Sequence, residues 1–140
     1  MFISQAPYND HIIGHGLDVV DLHDFARMVT LIRENQLWRR YYTAAEWVDT
    51  DSGQDVERLA SRFAIKEATL KALGVGWGDG IAFTDVEVVT LATGAPSITL
   101  HRKVLEIAND MGVKAWFVSA SHTRTLAIAS VLATSAGDVC

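Results

Sequence analysis

Hydrophobic and polar positions change period several times along the chain, and each change marks an element. From Ile12 to Val20 they alternate, with Ile13, His15, Leu17 and Val19 on one side and Gly14, Gly16 and Asp18 on the other, the two-residue period of a β-strand. Leu22, Phe25, Ala26, Val29 and Ile32 then recur at helical spacing and predict a helix from Asp21 to about Glu34, with Arg27 and Arg33 outward. Thr43-Ala44-Ala45-Glu46 is a capping box that starts a short helix, and the polar run Thr50 to Asp55 is a loop. From Leu59 to Leu73 the spacing is helical again. Wound at about 100° per residue, this stretch puts Leu59, Phe63, Leu70 and Leu73 on one narrow stripe, and Gly74 closes it.

The second half is strand-rich. Ile81 to Leu91 and Ser97 to Leu100 read as strands joined by the turn Ala92-Thr93-Gly94-Ala95-Pro96. Arg102 to Met111 is predicted helical, with Val104, Ile107, Ala108 and Met111 inward and Gly112 as its stop. Lys114 to Ser121 and Leu126 to Leu132 alternate as a hairpin around His122-Thr123-Arg124-Thr125. Strand, helices, strands, helix and hairpin in that order give an α+β domain with a mainly antiparallel sheet packed with helices.

The 59–73 helix carries the unusual chemistry. Lys66 falls in the middle of the apolar stripe, where an unpaired ammonium is costly, so it needs water or an anionic partner. Glu67 and Lys71 sit one turn apart at the stripe's edge beside Ala60 and Ala64, whose small size leaves room for something other than an apolar element. As a plain Glu–Lys pair they would stabilise the helix by a few tenths of a kcal/mol, about 0.2–0.5. Asp18 ends a strand whose same-face neighbours are glycines, a good place to hold a cation; capping of the next helix by Asp18 or Asp21 is the ordinary alternative. Arg39 and Arg40, beside aromatic residues, could grip a phosphate or an acidic partner or lie in a solvated turn.

Composition narrows the class. The 140 residues are 49% hydrophobic, enough for one domain with a real core. Residues 12–133 are expected to form that domain, between a loose leader (1–11) and a frayed tail (134–140). A formal charge of -5 argues against nucleic acid as the main partner. No apolar run approaches the roughly 20 residues that span a bilayer, and the N-terminal stretch lacks the pattern of a secretory signal. The single cysteine, Cys140, excludes an intramolecular disulfide or a CxxC site and fits a reducing, cytoplasmic setting. Gly74-Val75-Gly76-Trp77-Gly78-Asp79-Gly80 follows a helix and precedes a strand, the reverse of a dinucleotide fingerprint. It reads as a helix stop and a turn, with a backbone that a ligand could approach closely from Gly74 onward.

Four stretches together resemble one family, the holo-(acyl-carrier-protein) synthases, the small bacterial type of 4′-phosphopantetheinyl transferase. They are Gly16-Leu17-Asp18-Val19-Val20-Asp21-Leu22, then Leu59 to Ala68 (LASRFAIKEA) with Lys71-Ala72-Leu73-Gly74, then Gly94-Ala95-Pro96, and last Trp116 to Thr123 (WFVSASHT). The resemblance spans Ile12 to Ala133. It implies transfer of the phosphopantetheine arm of coenzyme A to a serine of an apo acyl carrier protein, with release of adenosine 3′,5′-bisphosphate. Asp18 and Glu67 are similar in position to the family's Mg²⁺-binding pair, and a hard cation taking one or two carboxylates suits them. By the same resemblance Lys71 neutralises or protonates the leaving group and Lys66 adds a second positive charge toward the substrate. Glu67, or a water held by the metal, accepts the serine proton. Arg62, His122 and Thr123 become candidates for the 3′-phosphate and neighbouring groups of coenzyme A, and Pro96 for the adenine across a subunit boundary of a homotrimer.

One position departs from the family pattern. Where an arginine that holds the acidic helix of the carrier is usual, this chain has Asp24, a charge that repels an acidic partner. Arg27, Arg33, Arg39 or Arg40 could take over, or the carrier could be a specialised one. Two other activities fit the same residues: a non-catalytic coenzyme A or nucleotide-binding module, and a Mg²⁺-dependent diphosphate hydrolase.

Overall fold

The computed structural model describes residues 11–135; the leader residues 1–10 and the tail residues 136–140, with Cys140, lie outside them. Five strands and four α-helices follow one another: β1 (Ile12–Asp21), α1 (Leu22–Glu34), α2 (Ala44–Asp49), α3 (Val56–Leu73), β2 (Val86–Thr90), β3 (Pro96–Leu100), α4 (Arg102–Asp110), β4 (Ala115–His122) and β5 (Leu126–Thr134). Short 3-10 turns cover Trp38–Arg40 and Phe83–Asp85. The strands form a three-stranded antiparallel sheet in the order β1-β5-β4 and a separate β2-β3 ribbon.

Helix α3 lies across the three-stranded sheet and decides where the site can be. Its contact face is alanine: Ala60, Ala64, Ala68 and Ala72 are all buried, against Ala127, Ala129, Val131 and Ala133 of β5. Opposite them, a Cβ added at Gly14 would stand 1.8 Å from the Ala72 carbonyl oxygen, and one at Gly16 would stand 1.7 Å from that of Ala68. Only glycine permits so close an approach of strand to helix. The alanines of α3 and the glycines of β1 therefore do not clear space for a ligand, as the sequence pattern suggested; they press the two backbones together. The alternation of β1 is as expected, but its glycine face is the inner one, and Leu17 and Val19 are about half exposed on the outer face.

Several boundaries shift for local reasons. The strand expected from Ile81 starts at Val86, because the Asp85 carboxylate accepts the Ala82 N–H (3.0 Å) and winds the chain into a 3-10 turn. Pro96 opens β3 instead of closing the turn before it. Helix α3 begins three residues early, where Asp55 caps the Arg58 N–H at 3.1 Å. Strand β5 continues to Thr134, paired with Ile12 and Ala115, so the ordered sheet takes in the first residue assigned to the tail. Arg33 turns inward enough to donate to the Gly53 carbonyl at 2.7 Å, and Met111, expected inside, is exposed at the C-cap of α4. The capping box is formed as read, Thr43 and Glu46 each bonding the other's backbone N–H. Among the described residues no helix is long and apolar enough to cross a membrane.

Candidate active site

Asp18 comes from the C-terminal half of β1, and Glu67 and Lys71 from one edge of α3. The three line a single open cleft of about 430 Å³, together with Asp21, Asp24, Phe25, Met28 and Phe63. The close fit of β1 on α3 is what brings residues about fifty positions apart in sequence to the same wall. The Lys71 ammonium donates to Asp18 Oδ1 at 2.9 Å and to the Leu17 carbonyl at 3.0 Å, so its ion partner is the strand carboxylate and not Glu67 one turn away. Asp21, whose carboxylate accepts the Asp24 N–H at 2.9 Å, supplies the cap of α1, which leaves Asp18 to the cleft. Glu67 accepts the Trp77 indole N–H at 2.9 Å through Oε1.

The donor set fits a hard divalent cation. Two carboxylates from different elements face one cleft with oxygen ligands only, and Mg²⁺ typically takes one or two carboxylates and completes its shell with water and phosphate oxygens. Among the described residues no group of three or more His, Cys, Asp or Glu gathers into a metal site, so two carboxylates here would leave the rest of a cation's shell to water and substrate oxygens.

Lys66 corrects the expectation placed on it. It is 0% exposed, and its ammonium donates to Glu46 Oε1 (2.9 Å) and to the carbonyls of Phe83 (3.1 Å) and Val86. Glu46 in turn accepts the N–H groups of Thr43 and Val88, each at 2.8 Å. Burial pushes the Lys66 pKa down while the Glu46 carboxylate pulls it back up. Lys66 thus ties α3 to α2 and β2 and does not face the cleft. The stripe position signalled a need for an anion; nothing in the spacing pointed to Glu46, twenty residues away and already engaged in its capping box.

The other candidates occupy separate surfaces. Arg62 is nearly buried, donates to the Glu46 carbonyl (3.0 Å), to Thr90 Oγ1 (3.2 Å) and to Asp49, and lines a cleft of about 210 Å³ with Arg58, Ser61, Gly94 and Pro96. Hydrogen bonding from the Arg62 guanidinium holds the Asp49 carboxyl below its ordinary value. His122 and Thr123 border a third opening with Glu57 and Arg124, where His122 Nε2 lies 3.2 Å from Glu57 Oε2. Gly74 is the left-handed stop of α3 (φ 72°) and lines none of these clefts. Arg39 stacks over Trp38 at 4.7 Å on an exposed turn.

A polar network beside the Glu46–Lys66 pair carries a pH signature. Glu87 accepts from Thr43 Oγ1 at 2.8 Å and lies 3.0 Å from His101 Nε2. Burial raises its pKa, but the bonds from His101 and Thr43 together with the charges of His101 and Lys66 outweigh it and leave it below the ordinary 4.5. The unfolded chain therefore takes up this proton at higher pH than the folded one, so the group's stabilisation is complete above about 4.5 and is lost as pH falls below it. Denaturant titrations are expected to show wild type losing stability more steeply than Glu87→Gln across that acid range; parallel losses would remove Glu87 from the effect.

Comparison with known proteins gives the same direction. The family described as 4′-phosphopantetheinyl transferase superfamily matches residues 14–129. A holo-(acyl-carrier-protein) synthase of Yersinia enterocolitica is 40% identical over 122 residues, 86% of this chain and 96% of that one. One of Edwardsiella ictaluri is 39% identical over 125 residues, 87% and 97% of the two chains. Among solved structures, the Neisseria meningitidis holo-(acyl-carrier-protein) synthase superposes with a TM-score of 0.78 at 27% identity, covering 88% of this chain and 98% of that one. The Helicobacter pylori synthase, solved in complex with coenzyme A, gives 0.74 at 29% identity, covering 86% and 99%. With the family matched from the first glycine of β1 into β5, and with relatives aligned nearly end to end, this chain belongs to the 4′-phosphopantetheinyl transferase superfamily as an enzyme of the holo-(acyl-carrier-protein) synthase type.

Proposed function

We propose that the protein moves the 4′-phosphopantetheine arm of coenzyme A onto a serine of an apo acyl carrier protein, releasing adenosine 3′,5′-bisphosphate, with Mg²⁺ held by Asp18 and Glu67. The observation that carries this reading is the meeting of Asp18, Glu67 and Lys71 in one cleft. When bound, Mg²⁺ would neutralise diphosphate charge and make the phosphorus more electrophilic. Glu67 takes the proton from the serine hydroxyl as its oxygen bonds to the β-phosphorus. The bond from that phosphorus to the bridging oxygen breaks, and the departing phosphate leaves with negative charge beside the Lys71 ammonium, which neutralises or protonates it. Arg62 and Pro96 in one cleft, and His122 and Thr123 in another, are assigned to the adenosine and 3′-phosphate end.

The outer face of the β1-β5-β4 sheet supports a homotrimer. Leu17 (51% exposed), Val19 (53%) and Phe117 (59%) share that face with the half-buried Ile128 and Leu132, an apolar surface that a second copy could cover. Coenzyme A and free carrier protein as substrates assign the enzyme to the cytoplasm. Asp24, exposed at the cleft rim, favours a carrier whose docking helix is less acidic than usual.

The test is incubation with coenzyme A, Mg²⁺ and a panel of apo carriers, read by mass spectrometry. A phosphopantetheine adduct on at least one carrier is expected. Binding of coenzyme A with no adduct on any carrier would favour the non-catalytic module, and coenzyme A consumed without a carrier would favour the hydrolase.

A further inference from the structure

The loop between α3 and the Phe83–Asp85 turn folds back onto the helix it leaves, and it returns to Glu67. Its backbone is left-handed at Gly74 (φ 72°), Gly78 (φ 114°), Asp79 (φ 52°) and Gly80 (φ 85°). It is pinned by a Gly78–Ile81 bridge, with the Ile81 N–H donating to the Gly78 carbonyl at 2.9 Å, and by Arg102 donating to the Gly80 carbonyl at 2.8 Å. So held, Trp77 stacks on Phe83 with ring centroids 3.6 Å apart, and Phe83 stacks on Phe63 of α3 at 5.4 Å. Phe63 precedes Glu67 by one turn of the same helix. Phe63, Phe83, Trp77 and Glu67 therefore close a circuit over that turn, and its last link is the indole N–H on Glu67 Oε1.

An indole has one donor, and a stacked ring cannot rotate to redirect it. A lone glutamate on a helix edge can swing between rotamers, whereas a cation ligand must be held in one. We infer that Trp77 is a positioning residue for Glu67: its N–H engages Oε1, fixes the plane of the carboxylate, and leaves Oε2 for the cation. The inference rests on the cation-binding reading of Glu67 above and goes beyond it, because the loop and its tryptophan become part of what sets metal affinity.

Trp77→Phe removes the N–H and keeps a flat ring over Phe83. The Mg²⁺ concentration for half-maximal rate is expected to rise about tenfold, with the KM for coenzyme A and the thermal midpoint near wild type. A second measurement needs neither turnover nor that variant's stability. In wild-type protein carrying ¹⁵N in its four tryptophans, with no substrate present, Mg²⁺ is expected to shift the indole N–H resonance of Trp77, assigned by substituting the other three. Glu67→Gln is expected to abolish that shift. An unchanged Mg²⁺ requirement in a folded Trp77→Phe protein, or an indole resonance that Mg²⁺ does not move, would overturn the inference. Adduct formation with the same Mg²⁺ dependence in both proteins would sink only this inference, whereas failure of wild type to modify any carrier would sink the transferase reading itself.

Discussion

Glu67→Gln is expected to lose turnover, a fall of about 10³-fold or more in kcat, while folding and assembling as wild type does. The substitution changes charge and hardly changes shape, and the new amide oxygen can still accept the Trp77 indole N–H at the place where Oε1 does now (2.9 Å). In the proposed mechanism, what disappears is one of the two carboxylates that would hold Mg²⁺ and the acceptor for the serine proton. Because packing is untouched, a thermal midpoint near wild type beside a collapsed rate separates chemistry from stability. Single-turnover transfer to an apo carrier, followed by mass spectrometry, reads the rate directly; near-normal activity would remove Glu67 from the mechanism.

Lys66→Met is expected to act in the opposite way, through the fold. Methionine fills much of the same volume without a charge, leaving the Glu46 carboxylate buried with its two backbone donors but no cation, and leaving the Phe83 and Val86 carbonyls without their donor. Breaking a buried pair from one side costs about 3–5 kcal/mol, a large part of the roughly 5–15 kcal/mol that holds a domain together. Equilibrium denaturation should show the loss, and a second change, Glu46→Gln, should return part of it by removing the stranded charge. Had Lys66 touched substrate, the variant would instead keep its stability and show a raised KM for coenzyme A. That result would restore the role the sequence suggested.

These two lysine and glutamate positions show which parts of the protein were legible in its sequence. Periodicity located the central helix, the capping box and the terminal hairpin, because those features depend on neighbours within four residues. Asp18, Glu67 and Lys71 were legible as a set through the motifs around them, and one cleft holds all three. Pairings across the fold were not legible. Glu46 and Lys66, and Trp77 and Glu67, meet through the path of two loops that no local pattern encodes. The small residues were misread for a similar reason. In sequence, alanine and glycine look like absent bulk, and only the packed structure shows that the space is filled by the partner's main chain.

That main-chain contact between β1 and α3 reaches the chemistry. Side chains in an ordinary core hop between rotamers, but at Gly14 and Gly16 there is nothing to hop, so the strand has no soft layer on which to slide along the helix. The separation of the strand backbone that carries Asp18 from the helix edge that carries Glu67 and Lys71 is thereby decided when the chain folds. In the proposed reaction, the backbone on both walls of the cleft is then already in place, and preorganised walls lower the cost of rearranging them around developing charge.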